Sequence, residues 1–227
     1  MYSFYLNKQE EINILNKMLS DGGGCTVTER AEQYHIPLEI AQKCKKAKTP
    51  KELVDYVNKI YQEKAEDLEK SLVFHAGFWN RNKAECEQIL SSIMQQKIPS
   101  FRVRLQPLCD GISDWEGTNV AINAFEYLNG NPVWYSTLIW ETILALTFVR
   151  IRKKYSNKIY PDETVWAVSE MTSCAIINTD FKVNWKIGYR QLAPHQDKVL
   201  QIYHDRKDFS CFLKEMLTYF SDKNITF

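Results

Sequence analysis

The chain of 227 residues is 44% hydrophobic and 13% aromatic, enough apolar surface for a substantial core in one large or two small domains, which excludes a disordered chain. Lys and Arg number 29 against 28 Asp and Glu, for a formal net charge of +1. No overall field therefore draws the protein to nucleic acid or to an anionic membrane, and either interaction needs a local patch. Six cysteines, at 25, 44, 86, 109, 174 and 211, include no Cys-x-x-Cys pair, which argues against a zinc knuckle or a disulfide framework and for a reducing compartment.

The N-terminus, from Met1 to Glu11, has no basic segment leading into an apolar one, so a cytoplasmic location is expected. Asn7 with Glu10 forms a capping-box pattern ahead of Ile12, Leu15, Met18 and Leu19, and three glycines at 22–24 end that helix. Residues 26–48 follow, with Ala31 where a first helix would pack closely, Ile36 after a turn, and Pro37 opening a second helix that offers Leu38, Ile40 and Ala41 for burial. This layout resembles a helix-turn-helix. Lys43, Lys45, Lys46 and Lys48 then supply a basic run suited to phosphate contacts. His35 stands where such turns usually carry glycine, Glu39 lies near the groove-facing surface, and base-reading side chains are nearly absent.

Thr49, Pro50 and Glu52 read as a cap, a first-turn proline and a reciprocal carboxylate for a long amphipathic helix carrying Leu53, Val57, Ile60, Tyr61, Leu68 and Leu72. Asn82 with Glu85 reads as the start of another, running to Pro99 with Cys86, Leu90 and Met94 inward. Between them His75 falls on an apolar segment, Phe74 to Trp79, where a core histidine is the usual outcome. From Phe101 the period changes to alternation, giving a strand at 101–108 and a second strand or short helix at 119–128. Asp110, Asp114 and Glu116 lie between these runs and are weak candidates for a hard cation; a glycine-bounded turn with solvated carboxylates explains them as well.

The segment Val133 to Val149 is almost continuously apolar with one charge, Glu141, at its centre. It is long enough to raise the question of a membrane span, but a central carboxylate costs a few kcal/mol in a bilayer, and a buried core helix is the simpler reading. Asp162 caps a second apolar helix bearing Glu170 between Trp166 and Cys174. A strand or loop at 184–189 and helices near 195–204 and 209–220 complete the chain. Two carboxylates on apolar helix faces point to paired acid and base chemistry or to metal ligation. Equally, they can be satisfied by basic partners or by Trp and Tyr donors in a core.

Residues Trp140 to Leu144, together with the Glu170 helix, resemble the zincin metalloproteases. That family carries His-Glu-x-x-His on an apolar helix, and one branch takes a third zinc ligand from a Glu on a following helix. The likeness covers about 45 residues. It implies a dead enzyme or a shared scaffold, because Trp140 and Leu144 stand at the two histidine positions and the zinc site is not carried over.

The sequence thus predicts a mainly helical α+β protein, with an N-terminal helical region (1–97) packed on a C-terminal α+β unit (98–227) with a small antiparallel sheet, unless the two form one continuous domain. The expected function is non-catalytic binding of another macromolecule, with a protein as partner, as in an inhibitor, a phage or mobile-element factor, or an assembly subunit. One alternative is a hydrolase using Glu141, Glu170 and His75; the other is a DNA-binding regulator using the lysines of 43–48. No cofactor and no membrane partner are expected.

Overall fold

The computed structural model describes residues 2–20, 26–45, 48–108, 112–113, 117–129, 135–156, 159–223 and 225, with the backbone alone at 112, 113 and 129. The elements are β1 (Tyr2–Leu6), α1 (Lys8–Ser20), α2 (Val27–Gln33), α3 (Leu38–Ala41), α4 (Lys51–Glu63), α5 (Ala65–Met94), β2 (Phe101–Gln106), β3 (Ile112–Ser113), β4 (Asn119–Asn123), α6 (Tyr135–Lys154), α7 (Asp162–Thr179), α8 (Gln196–Asp205) and α9 (Phe209–Ser221). The protein is mainly helical, as its periodicity implies.

The sheet corrects the sequence reading. Its three full strands, in the order β1, β2, β4, all run parallel, and only the two-residue β3 pairs antiparallel, on the outer side of β4. An antiparallel pair was the natural expectation for two nearby alternating runs. Instead β1, from the stretch read as wholly helical, comes back across five helices to lie beside β2, a pairing that short-range patterns do not announce.

One face of the sheet is apolar. Tyr2, Phe4 and Leu6 stand in register with Phe101, Val103 and Leu105, which meet Val120 and Ile122. This face receives α5 and α6: the Tyr2 ring lies edge-on to Trp79 at 5.0 Å and its hydroxyl meets the Thr142 hydroxyl at 3.0 Å. The opposite face carries Ser3, Tyr5, Arg102, Arg104, Gln106 and Asn119, and Ser3, Arg102 and Asn119 are exposed.

Two clusters of buried side chains result. The smaller joins Ile12, Leu15 and Leu19 of α1 to Leu53 and Val57 of α4 and to α2 and α3; the larger joins the sheet to α5 through α9. Within the larger, α6 and α7 form an antiparallel hairpin, because Ser173 reaches the Trp140 carbonyl at one end while Arg152 pairs with Asp162 and the Tyr160 carbonyl at the other. The basic residues that end α6 act as anchors inside the protein: Arg150 donates to the Met94 carbonyl and to Ser210, and lies over the Phe209 ring. Among the described residues no helix is long and apolar enough to cross a membrane.

Local signals were followed unevenly. The Asn7 cap forms as read, its side chain accepting from the Glu10 amide at 3.1 Å and donating to the Glu10 carboxylate at 2.8 Å. The long helix expected from Thr49 breaks at Lys64, and α5 then runs unbroken through Asn82, whose side chain donates back to the Phe78 carbonyl at 2.8 Å instead of capping a new helix. Glu52 likewise pairs with Lys43 rather than closing a capping box. The run at 119–128 is both things it was read as, a strand followed by a single 3-10 turn at Glu126–Asn129.

Candidate functional site

Glu170 is 4% exposed and lies between α6 and α7. Both oxygens are engaged by indoles: Trp140 Nε1 donates to one at 2.8 Å and Trp166 Nε1 to the other at 3.1 Å. The Trp166 contact follows from helical spacing, one turn apart on α7; the Trp140 contact requires the hairpin. A third donor, the Tyr189 hydroxyl, comes from the segment after α7. Trp185 packs on Trp140 with ring centroids 5.3 Å apart, and Tyr189 stands edge-on to Trp166 at 5.0 Å. Burial pushes the Glu170 carboxyl up to about 7, and the three donors pull against that rise. The carboxylate is thus poised near neutrality inside an aromatic shell.

Glu141 is also buried, at 9% exposed, on α6 next to Trp140. Glu141 thus follows a donor of Glu170 in the chain, but the groups that act on the Glu170 carboxyl are Trp140, Trp166 and Tyr189 and do not include Glu141. His75 sits elsewhere. It is fully buried beneath β1, stacked on Phe4 with centroids 5.7 Å apart and edge-on to Phe74 and Tyr127, and burial pushes it down to about 4. An imidazole in that setting is neutral at physiological pH.

The helix-turn-helix-like segment folds as the α2 and α3 pair, and His35 occupies the turn with φ 52°, the left-handed conformation that glycine adopts most easily. The second helix is a single turn, Leu38–Ala41. Lys43 is committed to Glu52 at 2.7 Å, while Lys45 and Lys48 are exposed and joined by an isolated bridge. Lys46, Asp110, Asp114 and Glu116 lie outside the described residues.

Sequence reasoning missed a second buried carboxylate centre. Glu11, in the first turn of α1, is fully buried; its carboxylate accepts from the Leu108 amide at 3.2 Å and lies beside the Tyr61 hydroxyl. Burial pushes this carboxyl up to about 7. Next to it Arg104, 4% exposed, donates to Gln106 at 2.9 and 3.1 Å and to Glu10 at 3.2 Å, and Tyr5 donates to the same Glu10 oxygen at 2.7 Å. The available signal was Arg104 itself, one of two arginines in β2, of which only Arg102 is exposed. Paired acids at the start of α1 look in sequence like ordinary first-turn carboxylates.

Among the described residues no three His, Cys, Asp or Glu side chains are grouped to hold a metal ion. A hollow of about 460 Å³ lies beside α2, α3 and α4, lined in part by His35, Leu38 and Tyr56, and another of about 410 Å³ lies between the start of α7 and the end of α9; neither is lined by Glu141 or Glu170. Compared with protein-family models, with curated proteins and with solved structures, the chain matches none.

Proposed function

We propose that this protein acts by binding another protein, through the surface formed by α5 and the 3-10 turn after β4. The observation that carries the reading is an apolar strip there: Val73 is 75% exposed and Leu128 59% exposed, next to Phe74 and Tyr127, whose rings stack with centroids 4.1 Å apart. Neighbouring Phe78 stacks in turn on Phe74 and on Tyr135. Exposed aliphatic residues beside ordered, half-buried aromatics are what a protein-binding hot spot uses, because the rings lose little freedom on docking.

The hydrolase reading has less support. Its best residue, Glu170, has both oxygens on indoles, and the zincin resemblance places Trp140 at a ligand position from which it donates directly to Glu170. His75 belongs to a different part of the core. The DNA-binding reading is weakened by a one-turn second helix and by the Lys43–Glu52 pair.

The test is affinity capture of the tagged chain from its native cell lysate, with and without nuclease, comparing wild type with a Val73→Glu, Leu128→Glu double variant. Both sites are exposed, so folding is expected to survive. The reading predicts a stoichiometric protein partner that withstands nuclease and is lost with the double variant. A partner lost on nuclease treatment, or one retained equally by the double variant, contradicts it.

A further inference from the structure

Glu170 is a buried carboxylate whose three hydrogen-bond donors are all neutral. The ion pairs among the described residues lie elsewhere, and no basic side chain contributes to the electrostatics of its carboxyl. A buried carboxylate held by neutral donors keeps an unmet attraction for a full positive charge. Two of the donors, Trp140 and Trp166, are fixed on packed helices and are 7% and 6% exposed.

The third is different. Tyr189 is 43% exposed and reaches the carboxylate from the solvent side. It sits in residues 181–189, which form neither helix nor strand. That strap is fastened at Trp185, whose amide donates to Asn178 at 2.6 Å and whose carbonyl accepts from Asn178 at 2.9 Å and Gln196 at 3.1 Å; a further tie joins the Ile187 amide to Gln196 at 3.2 Å. Next comes Gly188, around which a side chain would meet nothing within 4 Å. The Tyr189 backbone is held in turn, its carbonyl accepting from the Leu192 and Ala193 amides at 3.0 and 2.9 Å, so what sets this donor apart is its half-exposed side chain beside the open space at Gly188.

We propose that Tyr189 is an exchangeable donor and that Glu170, Trp166 and Trp140 form a site for a primary ammonium group. An R–NH₃⁺ entering from solvent displaces the tyrosine, its N–H groups donate to Glu170 in place of the hydroxyl, and its alkyl chain lies along the Trp166 ring that Tyr189 now covers. Aromatic surfaces beside a carboxylate suit this cation class, through attraction to the ring faces and a charge-assisted hydrogen bond. The ammonium can come from a free alkylamine or from a lysine side chain of a polypeptide. The proposal is independent of the α5 surface: either can fail while the other holds.

The test is isothermal titration of the full chain, wild type and Tyr189→Ala, with n-butylammonium chloride and with a capped peptide containing one lysine. Tetramethylammonium, which has no N–H, and the Glu170→Gln variant serve as controls, with circular dichroism to check folding. The expected result is saturable binding of at least one primary ammonium probe, about tenfold tighter in Tyr189→Ala because the internal competitor is gone. Binding should be lost in Glu170→Gln and be at least about tenfold weaker for tetramethylammonium. Peptide binding without butylammonium binding assigns the source to a polypeptide; butylammonium binding assigns it to free amines. A folded Tyr189→Ala that binds neither probe, or a Glu170→Gln variant that binds as wild type does, overturns the proposal.

Discussion

The protein buries two glutamates with carboxyls pushed to about 7, and it treats them differently. Glu11 belongs to a structural polar network. It ties α1 to the end of β2 through the Leu108 amide, with Tyr61 from α4 and the Arg104 guanidinium close by, and Arg104 is itself satisfied by Gln106 and Glu10. Among the described residues Glu170 has no cation near it and meets only two indoles and a half-exposed tyrosine. The first arrangement joins the small core to the sheet; the second leaves a charge-seeking group one side chain from solvent. Burial alone therefore does not identify a functional carboxylate. The identity and exposure of its donors do.

The sharpest way to break the contrast is Arg104→Met. Removing this buried guanidinium takes a charged donor from Gln106 and from Glu10, which keeps Tyr5 and Asn7, and removes the positive charge that acts on Glu11, so urea denaturation should show a loss of about 3–5 kcal/mol. A loss within the range of ordinary surface substitutions would mean that the network is not structural. Next in size is Trp140→Phe, which keeps the ring but removes one donor from Glu170; about 1–3 kcal/mol of stability should go, while Arg104 and Glu11 are unaffected.

The pH dependence of stability separates the two centres. Each carboxyl has an ordinary value of 4.5 and a folded value of about 7, so between those values the folded protein holds a proton that the unfolded chain releases. Their contribution is therefore fully present at the acid end of the interval and is lost as the pH rises to about 7. His75, pushed down from 6.5 to about 4, works in the opposite sense, since the unfolded chain gains its proton first as the pH falls. The Glu170→Gln variant isolates one group. Its stability relative to wild type should rise by roughly 1–3 kcal/mol between pH 5 and pH 8, and a pH-independent difference would refute the raised value. The smallest effect belongs to Tyr189→Phe: with its ring half-exposed, losing the hydroxyl should cost less than about 1 kcal/mol, and a larger loss would show that Tyr189 is a structural donor rather than an exchangeable one.

How much of this could be read from the sequence depended on the range of the interaction. The Asn7 cap and the burial of Glu170 depend on neighbours within a turn or two of helix, so spacing revealed both. Asn82 and Glu85 imitate a capping box, yet a residue inside α5 can satisfy its amide on its own preceding turn, and nothing local distinguishes the two uses. Strand β1 depends wholly on a partner far along the chain, and its parallel pairing could not be inferred from nearby runs. Trp140 and Tyr189 joined Glu170 only once the α6 and α7 hairpin and the following strap were in place. Glu11 was hidden because an acid in a first helical turn is ordinarily a solvated one.

The most direct test of the contrast follows the indole N–H resonances of Trp140 and Trp166 by heteronuclear NMR, assigned by single substitution, across the neutral pH range. Both indoles donate to one carboxylate that changes protonation near 7, so both resonances should move together with a single midpoint close to neutrality and stop moving in Glu170→Gln. Resonances that stay still from acid to alkaline pH, or that titrate with the ordinary carboxylate midpoint, would contradict the picture of Glu170 as a buried carboxylate held only by neutral donors.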